Sequence, residues 1–234
     1  MPVTLSNIAA SSLTGSQTSG QTGVDRVTQA FQKADKRIQQ QRDLAAVQLS
    51  SFGRLKSAFA GTETAASGLK SITPASSAAD VRAATGTFVK AFNSAVETAR
   101  AAAAQSGTPT ESNRARIAES ELRRSLNSET TSAELRKIGI AQQANGTLVI
   151  DNKRFDAAFS AEPEAVRSVL SRLGLQVSQT AGGQLADGGN IGRAVNALGD
   201  RVRNLENRQA EQQALATAGQ QTVSTQTQRP SLRR

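Results

Sequence analysis

From Val24 onward the apolar residues of the chain fall into a heptad rhythm. With Val24 at position a, that column runs Val24, Phe31, Ile38, Ala45, Phe52, Phe59 and Ala66. The d column runs Val27, Ala34, Gln41, Gln48, Leu55, Thr62 and Leu69. One unbroken register over this stretch predicts about 70 Å of helix with a coiled-coil-like partner. The a column is almost wholly apolar, whereas Gln41, Gln48 and Thr62 interrupt d. The seam is therefore weak at its middle, and such a helix does not hold itself together alone. Helix 24–72 stops at Pro74, which cannot continue it and restricts Thr73. A second heptad face lies at 191–219, where Val195, Leu198, Val202 and Leu205 are spaced alternately by three and four before fading into Gln and Ala. The two terminal helices are expected to pair as a coiled-coil leg, with Val24, Val27, Phe31, Ile38, Phe52, Leu55, Phe59 and Leu69 meeting Val195, Leu198, Val202 and Leu205 within the chain or in neighbouring copies.

The middle, 79–175, reads differently. A helix over about 79–105 places Val81, Phe88, Phe92 and Val96 near one face and breaks at Gly107–Pro109. A short helix over 114–127 carries Ile117, Leu122 and Leu126. Leu135-Arg136-Lys137-Ile138-Gly139-Ile140 then leads to Asn145-Gly146 and to Leu148-Val149-Ile150. Asn-Gly between apolar runs is a hairpin signal. Asp151 is placed to cap a helix with Phe155 and Phe159 on one side. Pro163 opens a helix bearing Val166, Val169, Leu170 and Leu173, which Gly174 is expected to end. Residues 176–190 read as a polar, Gly-rich linker, and 1–23 and 220–234 as a disordered N-terminus and tail. The fold class expected is mainly α: long terminal helices forming a coiled-coil leg, and a small α+β middle domain with a short β-hairpin.

Composition narrows the chemistry. Seven Phe are the only aromatics among 234 residues, and His, Cys, Trp and Tyr are absent. Aromatic side chains dominate the energetics of thick cores, so thin helical packing is favoured here. Without His or Cys the commonest general base, metal ligands and best nucleophile are missing. The Gly182-Gly183 and Gly188-Gly189 pairs lack the spacing of a phosphate loop. No catalytic, cofactor-binding or metal-binding residue is assigned, and the chain is expected not to be an enzyme. Its first charge is Asp25 and no apolar core precedes it, so the N-terminus is not a cleaved secretory signal. No run approaches the roughly eighteen apolar residues of a membrane span. The net charge of +9 raises the alternative of a cytoplasmic basic coiled-coil protein that binds nucleic acid. The basic residues are interleaved with acids along helices, as in Arg201-Val202-Arg203-Asn204-Leu205-Glu206, and no aromatic stacking platform accompanies them.

Three stretches, in this order along the chain, carry a resemblance to a known family. The N-terminal helix with Leu55, Phe59 and Leu69-Lys70 is the first. Phe88-Val89-Lys90-Ala91-Phe92-Asn93 is similar to a pattern F-V-x-x-Y-N with Phe for Tyr. The most specific is Leu135-x-x-Ile138-Gly139-Ile140, then Gly146-Thr147-Leu148-Val149-Ile150-Asp151, Phe155, Phe159, and Glu162-Pro163-Glu164-Ala165-Val166. Together they resemble the flagellar filament-capping family, hook-associated protein 2. The resemblance implies a structural protein exported to the extracellular flagellum, forming homo-oligomers at the filament tip. Its implied partners are flagellin, hook-associated proteins and an export chaperone. Family members carry large head domains between the N-terminal helix and the F-V-x-x-Y-N helix, and here only Ile72–Asp80 occupies that place. Read from the residues alone, the apolar motif positions are what a small α/β core needs, and Gly139 and Gly146 what its turns need.

Overall fold

The computed structural model describes residues 20–126 and 129–227. In order they form helices α1 (Gly20–Lys70), α2 (Ala78–Gln105), α3 (Pro109–Arg124) and α4 (Glu129–Lys137), strands β1 (Ile140–Gln142) and β2 (Leu148–Ile150), and helices α5 (Asn152–Ala161), α6 (Pro163–Leu185) and α7 (Asn190–Thr227). The chain is mainly α with one antiparallel hairpin, as its patterning predicts. The residues divide into two compact units. Ala45–Asp200 form the larger, and the residues up to Leu44 form the other with those from Arg201. The disorder expected at 1–19 and 228–234 lies outside the described residues. Residues 20–23 and 220–227, expected to be disordered too, are helical; 220–227 contains neither Gly nor Pro to stop α7.

In the larger unit the second half of α1 packs on α2. Phe52, Leu55, Phe59 and Leu69 are buried to within 1% of full burial, and Val81, Phe88, Phe92 and Val96 on α2 completely. Each such side chain stabilises by about 2 kcal/mol. The Phe88 and Phe92 rings stand 6.0 Å apart, tilted by 47°. Thr62, which interrupts the heptad, is fully buried. Its hydroxyl lies 3.0 Å from both the Ala58 carbonyl on its own helix and the Ala91 carbonyl on α2. A polar interruption of the seam thus becomes an interhelical contact.

The turn 71–77 is closed by its own bonds, Ile72 N–H to Leu69 O at 3.2 Å and Ser76 N–H to Thr73 O at 3.0 Å. Ser77 and Asp80 then cap α2 reciprocally. α3 begins at Pro109, five residues before the expected start. Thr108 caps it by accepting the Glu111 N–H at 3.4 Å, a Thr-x-x-Glu signature with Pro in the first turn that the sequence displays.

Leu135-Arg136-Lys137 ends a further helix, α4, and Gly139, with φ of 81°, redirects the chain into β1. A Cβ at Gly139 would sit 2.8 Å from Asp151 O and 2.9 Å from Phe155 N, so only glycine fits. Gly174 does not end α6, which continues through the expected linker to Leu185. The inward stripe Val166, Leu170, Leu173 goes on through Val177 and Ala181. Gly174 lies where α1 passes, and a Cβ there would meet the backbone of Ala66 and, at 2.7 Å, Lys70 N. This glycine marks a close helix approach. The true linker is residues 186–189.

Candidate assembly surfaces

The hairpin shows what the motif residues do. Ile140 pairs with Ile150, Ala141 with Val149 and Gln142 with Leu148. Gln143 N–H donates to Thr147 O and Asp151 N–H to Gly139 O, both at 2.8 Å. Alternation along an antiparallel ladder therefore turns the N–H and C=O of Leu148 outward. Asn93 of α2 meets both: its Oδ1 accepts the Leu148 N–H at 2.7 Å and its Nδ2 donates to Leu148 O at 2.9 Å. The amide side chain acts as a one-residue strand that closes the edge of β2.

The tip of the hairpin is held as well. Gly146 N–H donates to Gln143 O at 2.8 Å, and Gly146 has φ of 81°, the pattern of a three-residue loop with a left-handed glycine. Arg100 on α2 reaches the Asn145 carbonyl and Glu119 on α3, the latter at 2.7 Å. The Arg123 side chain fills the space a Cβ on Gly146 would need. Below the hairpin Asp151 caps α5 through the Arg154 N–H at 3.1 Å. Pro163 opens α6, and Arg167 lies 5.0 Å from the Phe159 ring while donating to Ser76 O at 2.9 Å.

Phe88, Phe92, Leu135, Ile138, Ile140, Leu148, Phe155 and Val166 are all buried in this unit, and Ile150 is half-buried against it. They hold the fold and are closed to partners. The same is true of four residues expected in an oligomer seam: Phe52, Leu55, Phe59 and Leu69 sit in the unit's own core, as does Leu198, with Val195 packed against it. Their heptad spacing is satisfied by the chain's own helices, which cover the apolar face a second copy would otherwise cover.

The remaining seam residues lie in the smaller unit. There α1 runs out at Leu44 and α7 runs in at Arg201, so the two helices are antiparallel. Ile38 and Leu205 are 4% and 5% exposed, and Phe31 and Val202 are half-buried. Gln41, expected inward, is exposed, and Arg42 beside it donates to Gln209 Oε1 at 3.1 Å. Asp35 Oδ1 and Gln212 Oε1 are buried without a partner among the described residues. Leu44 and Leu215 are 64% and 60% exposed. The side chains of Val24 and Val27 lie outside the described residues. This is a thin seam, polar in places, with large apolar side chains facing out.

Other exposed apolar residues of the larger unit are Val47, Ile117, Val149 and Leu175. A shallow groove runs between Gly61, Thr64, Ala65 and Gly68 on α1 and Ala84, Thr87 and Ala91 on α2. Among the described residues several arginines are ion-paired: Arg82 with Asp156, Arg100 with Glu119, Arg124 with Glu121, Arg167 with Glu164 and Arg172 with Glu134. Among the described residues no group of three or more carboxylates is placed to hold a metal ion, and no helix is long and apolar enough to cross a membrane.

A family profile, flagellar hook-associated protein 2 C-terminus, matches residues 63–229. The chain belongs to this family. The match spans the end of α1, α2 and on to the end of α7, and so includes the Asn93–hairpin arrangement and the α7 side of the terminal seam, whose α1 side lies before it. No curated protein and no solved structure matches the chain. Hook-associated protein 2 is a structural component of the bacterial flagellum, and a flagellar, cap-like structural role follows for this chain.

Proposed function

We propose that this hook-associated protein 2 relative is exported, assembles with further copies of itself through its terminal helices, and supports flagellin assembly at the filament tip. It works outside the cell and without catalysis or cofactor. Hook-associated proteins and flagellin are its neighbours in the filament, and an export chaperone holds it beforehand. The observation that carries this reading is the state of the terminal helix pair. Ile38 and Leu205 are its well-buried hydrophobics among the described residues, while Leu44 and Leu215 face outward. Asp35 and Gln212 each bury an acceptor with no donor among the described residues. Two helices so thinly packed are marginal in isolation, and buried acceptors favour a neighbour that brings donors. Further helices, from other copies, supply both.

The test is deletion of the coding gene followed by separation of filaments from medium. Flagellin is expected to appear unpolymerised in the medium, and the wild-type protein to restore filaments. A double variant, Ile38→Asp with Leu205→Asp, is expected to keep the helical signal of the larger unit yet fail to restore them. Normal filaments in the deletion strain would overturn the reading.

A further inference from the structure

Asn145-Gly146 is the one Asn-Gly pair in the sequence, and three features of the hairpin tip bear on its reactivity. The side chain of Asn145 is exposed, and its Oδ1 accepts the Thr147 N–H at 3.0 Å and faces the Thr147 hydroxyl at 2.7 Å. Because the Thr147 N–H can only donate, the oxygen of the amide is fixed on that side and the NH2 is left toward water. The carbonyl oxygen of Asn145, which belongs to the same peptide group as the Gly146 nitrogen, receives a hydrogen bond from the Arg100 guanidinium. Finally, the Arg123 guanidinium packs on Gly146, with its Nε buried and without an acceptor among the described residues.

We propose that Asn145 is a site of self-modification, in which the folded hairpin tip promotes cyclisation of Asn145 onto the Gly146 nitrogen and release of its amide. The Gly146 N–H gives its proton to hydroxide and breaks its bond to Gln143 O. The charge left on the peptide group resides mainly on the Asn145 carbonyl oxygen, where Arg100 already donates. The Gly146 nitrogen then bonds to Asn145 Cγ. The negative charge that develops on Oδ1 meets the Thr147 N–H and hydroxyl, donors aimed before the reaction at the atom that becomes an oxyanion. The hydroxyl also lies 3.0 Å from Gln143 Oε1, so its single proton turns from one oxygen to the other as charge grows. The Cγ–Nδ2 bond breaks, and the nitrogen leaves as ammonia with a proton from water. Water opens the five-membered imide at either carbonyl, giving aspartate or isoaspartate at this position. The new carboxylate lies beside Arg100 and Arg123, two cations that favour it. The isoaspartyl form adds one backbone methylene at the loop that Gly146 and Gln143 close.

The full chain is incubated at mildly alkaline pH, folded and in urea, and position 145 is followed by peptide mapping with fragmentation that separates aspartate from isoaspartate. Acid is expected to form at Asn145 faster in the folded chain than in urea, while exposed Asn204 and Asn207 on α7 keep their amides. Arg100→Gln and Thr147→Val are each expected to slow the folded reaction about tenfold or more, the worth of one hydrogen bond to a forming charge, and to leave the rate in urea unchanged. Circular dichroism checks that each variant is folded, and either variant alone carries the comparison. Slower acid formation in the folded chain than in urea, or folded variants that react like wild type, would overturn the proposal.

Discussion

Replacing Asn93 by Ala removes both partners of Leu148 at once. Leu148 is 2% exposed, so its N–H and C=O cannot turn to water without opening the contact between β2 and α2. A buried backbone group left unpaired costs about 1–3 kcal/mol, so two together cost about 4 kcal/mol. That is a large share of the roughly 5–15 kcal/mol that holds a folded protein. It corresponds to a fall in Tm of roughly 10 °C for a chain of this size. Urea unfolding followed by far-ultraviolet circular dichroism measures it, with the midpoint falling and the slope m unchanged. Asn93→Asp adds a sign that a merely smaller side chain lacks. Protonated, the carboxyl can accept from the Leu148 N–H and donate to Leu148 O as the amide does. Ionised, it sets a negative oxygen against that carbonyl. Its pKa in the folded chain is therefore raised above the unfolded value near 3.9. Relative to Asn93→Ala, the stability that the carboxyl of the Asn93→Asp variant provides is fully present below about pH 4 and lost as pH rises through the raised value. A loss under about 1 kcal/mol for Asn93→Ala, or a pH dependence of opposite sign, would refute the view that this amide closes the strand edge.

Gly174→Ala drives a Cβ against the backbone of Ala66 and Lys70, neither of which can turn away, and is expected to cost about 2–3 kcal/mol by denaturation. Thr108→Ala removes the cap of α3 and should cost about 1 kcal/mol in the same assay, with Thr108→Ser neutral. Phe59→Ala empties a fully buried site and should cost about 3–5 kcal/mol. Arg82→Ala breaks an ion pair whose partners are 52% and 42% exposed, and the loss should stay under about 1 kcal/mol and shrink with added salt.

The helices and the hairpin are legible because their signals are local. The 3.5-residue repeat marks α1, Asn145-Gly146 marks the turn, and Asp151 and Pro163 mark helix starts. Two signals that define helix starts inside apparent linker are local too: Ser77-x-x-Asp80 is a capping box, and Thr108 before Pro109 is an N-cap that accepts the Glu111 N–H. Gly174 misleads for a different reason. A glycine that ends a helix and one that admits a neighbouring helix look alike in sequence, and only the passage of α1 at Ala66–Lys70 tells them apart. The heptad register carries the same ambiguity. It specifies that a helix has an apolar face and is silent on whether the face is covered by the same chain. For Phe52 to Leu69 the cover is intramolecular. Asn93 is identifiable by resemblance, but its role as an edge closure depends on the register of a hairpin more than fifty positions away.

That division has a consequence for separating folding from assembly by mutation. The motif residues are internal, and the turn 71–77 closes on itself and is tied to α6 by Arg167. The larger unit's core therefore draws on nothing inserted between α1 and α2. Changes at Phe88, Asn93, Ile140 or Phe155 strike that core and lower its stability, so a loss of filament assembly there does not by itself report on contacts between copies. The informative positions are those the motifs leave uncovered. Ile117 and Leu175 on the larger unit are 46% and 42% exposed, and Leu44 and Leu215 on the smaller are more open still. Polar replacement of an exposed apolar side chain changes stability within about 0.5 kcal/mol. Ile117→Ser, Leu175→Ser, Leu44→Ser and Leu215→Ser should thus all melt like wild type. Sedimentation at increasing concentration then sorts them: the terminal-helix reading requires Leu44→Ser and Leu215→Ser to weaken self-association while Ile117→Ser and Leu175→Ser do not. The reverse pattern would move the interface onto the larger unit.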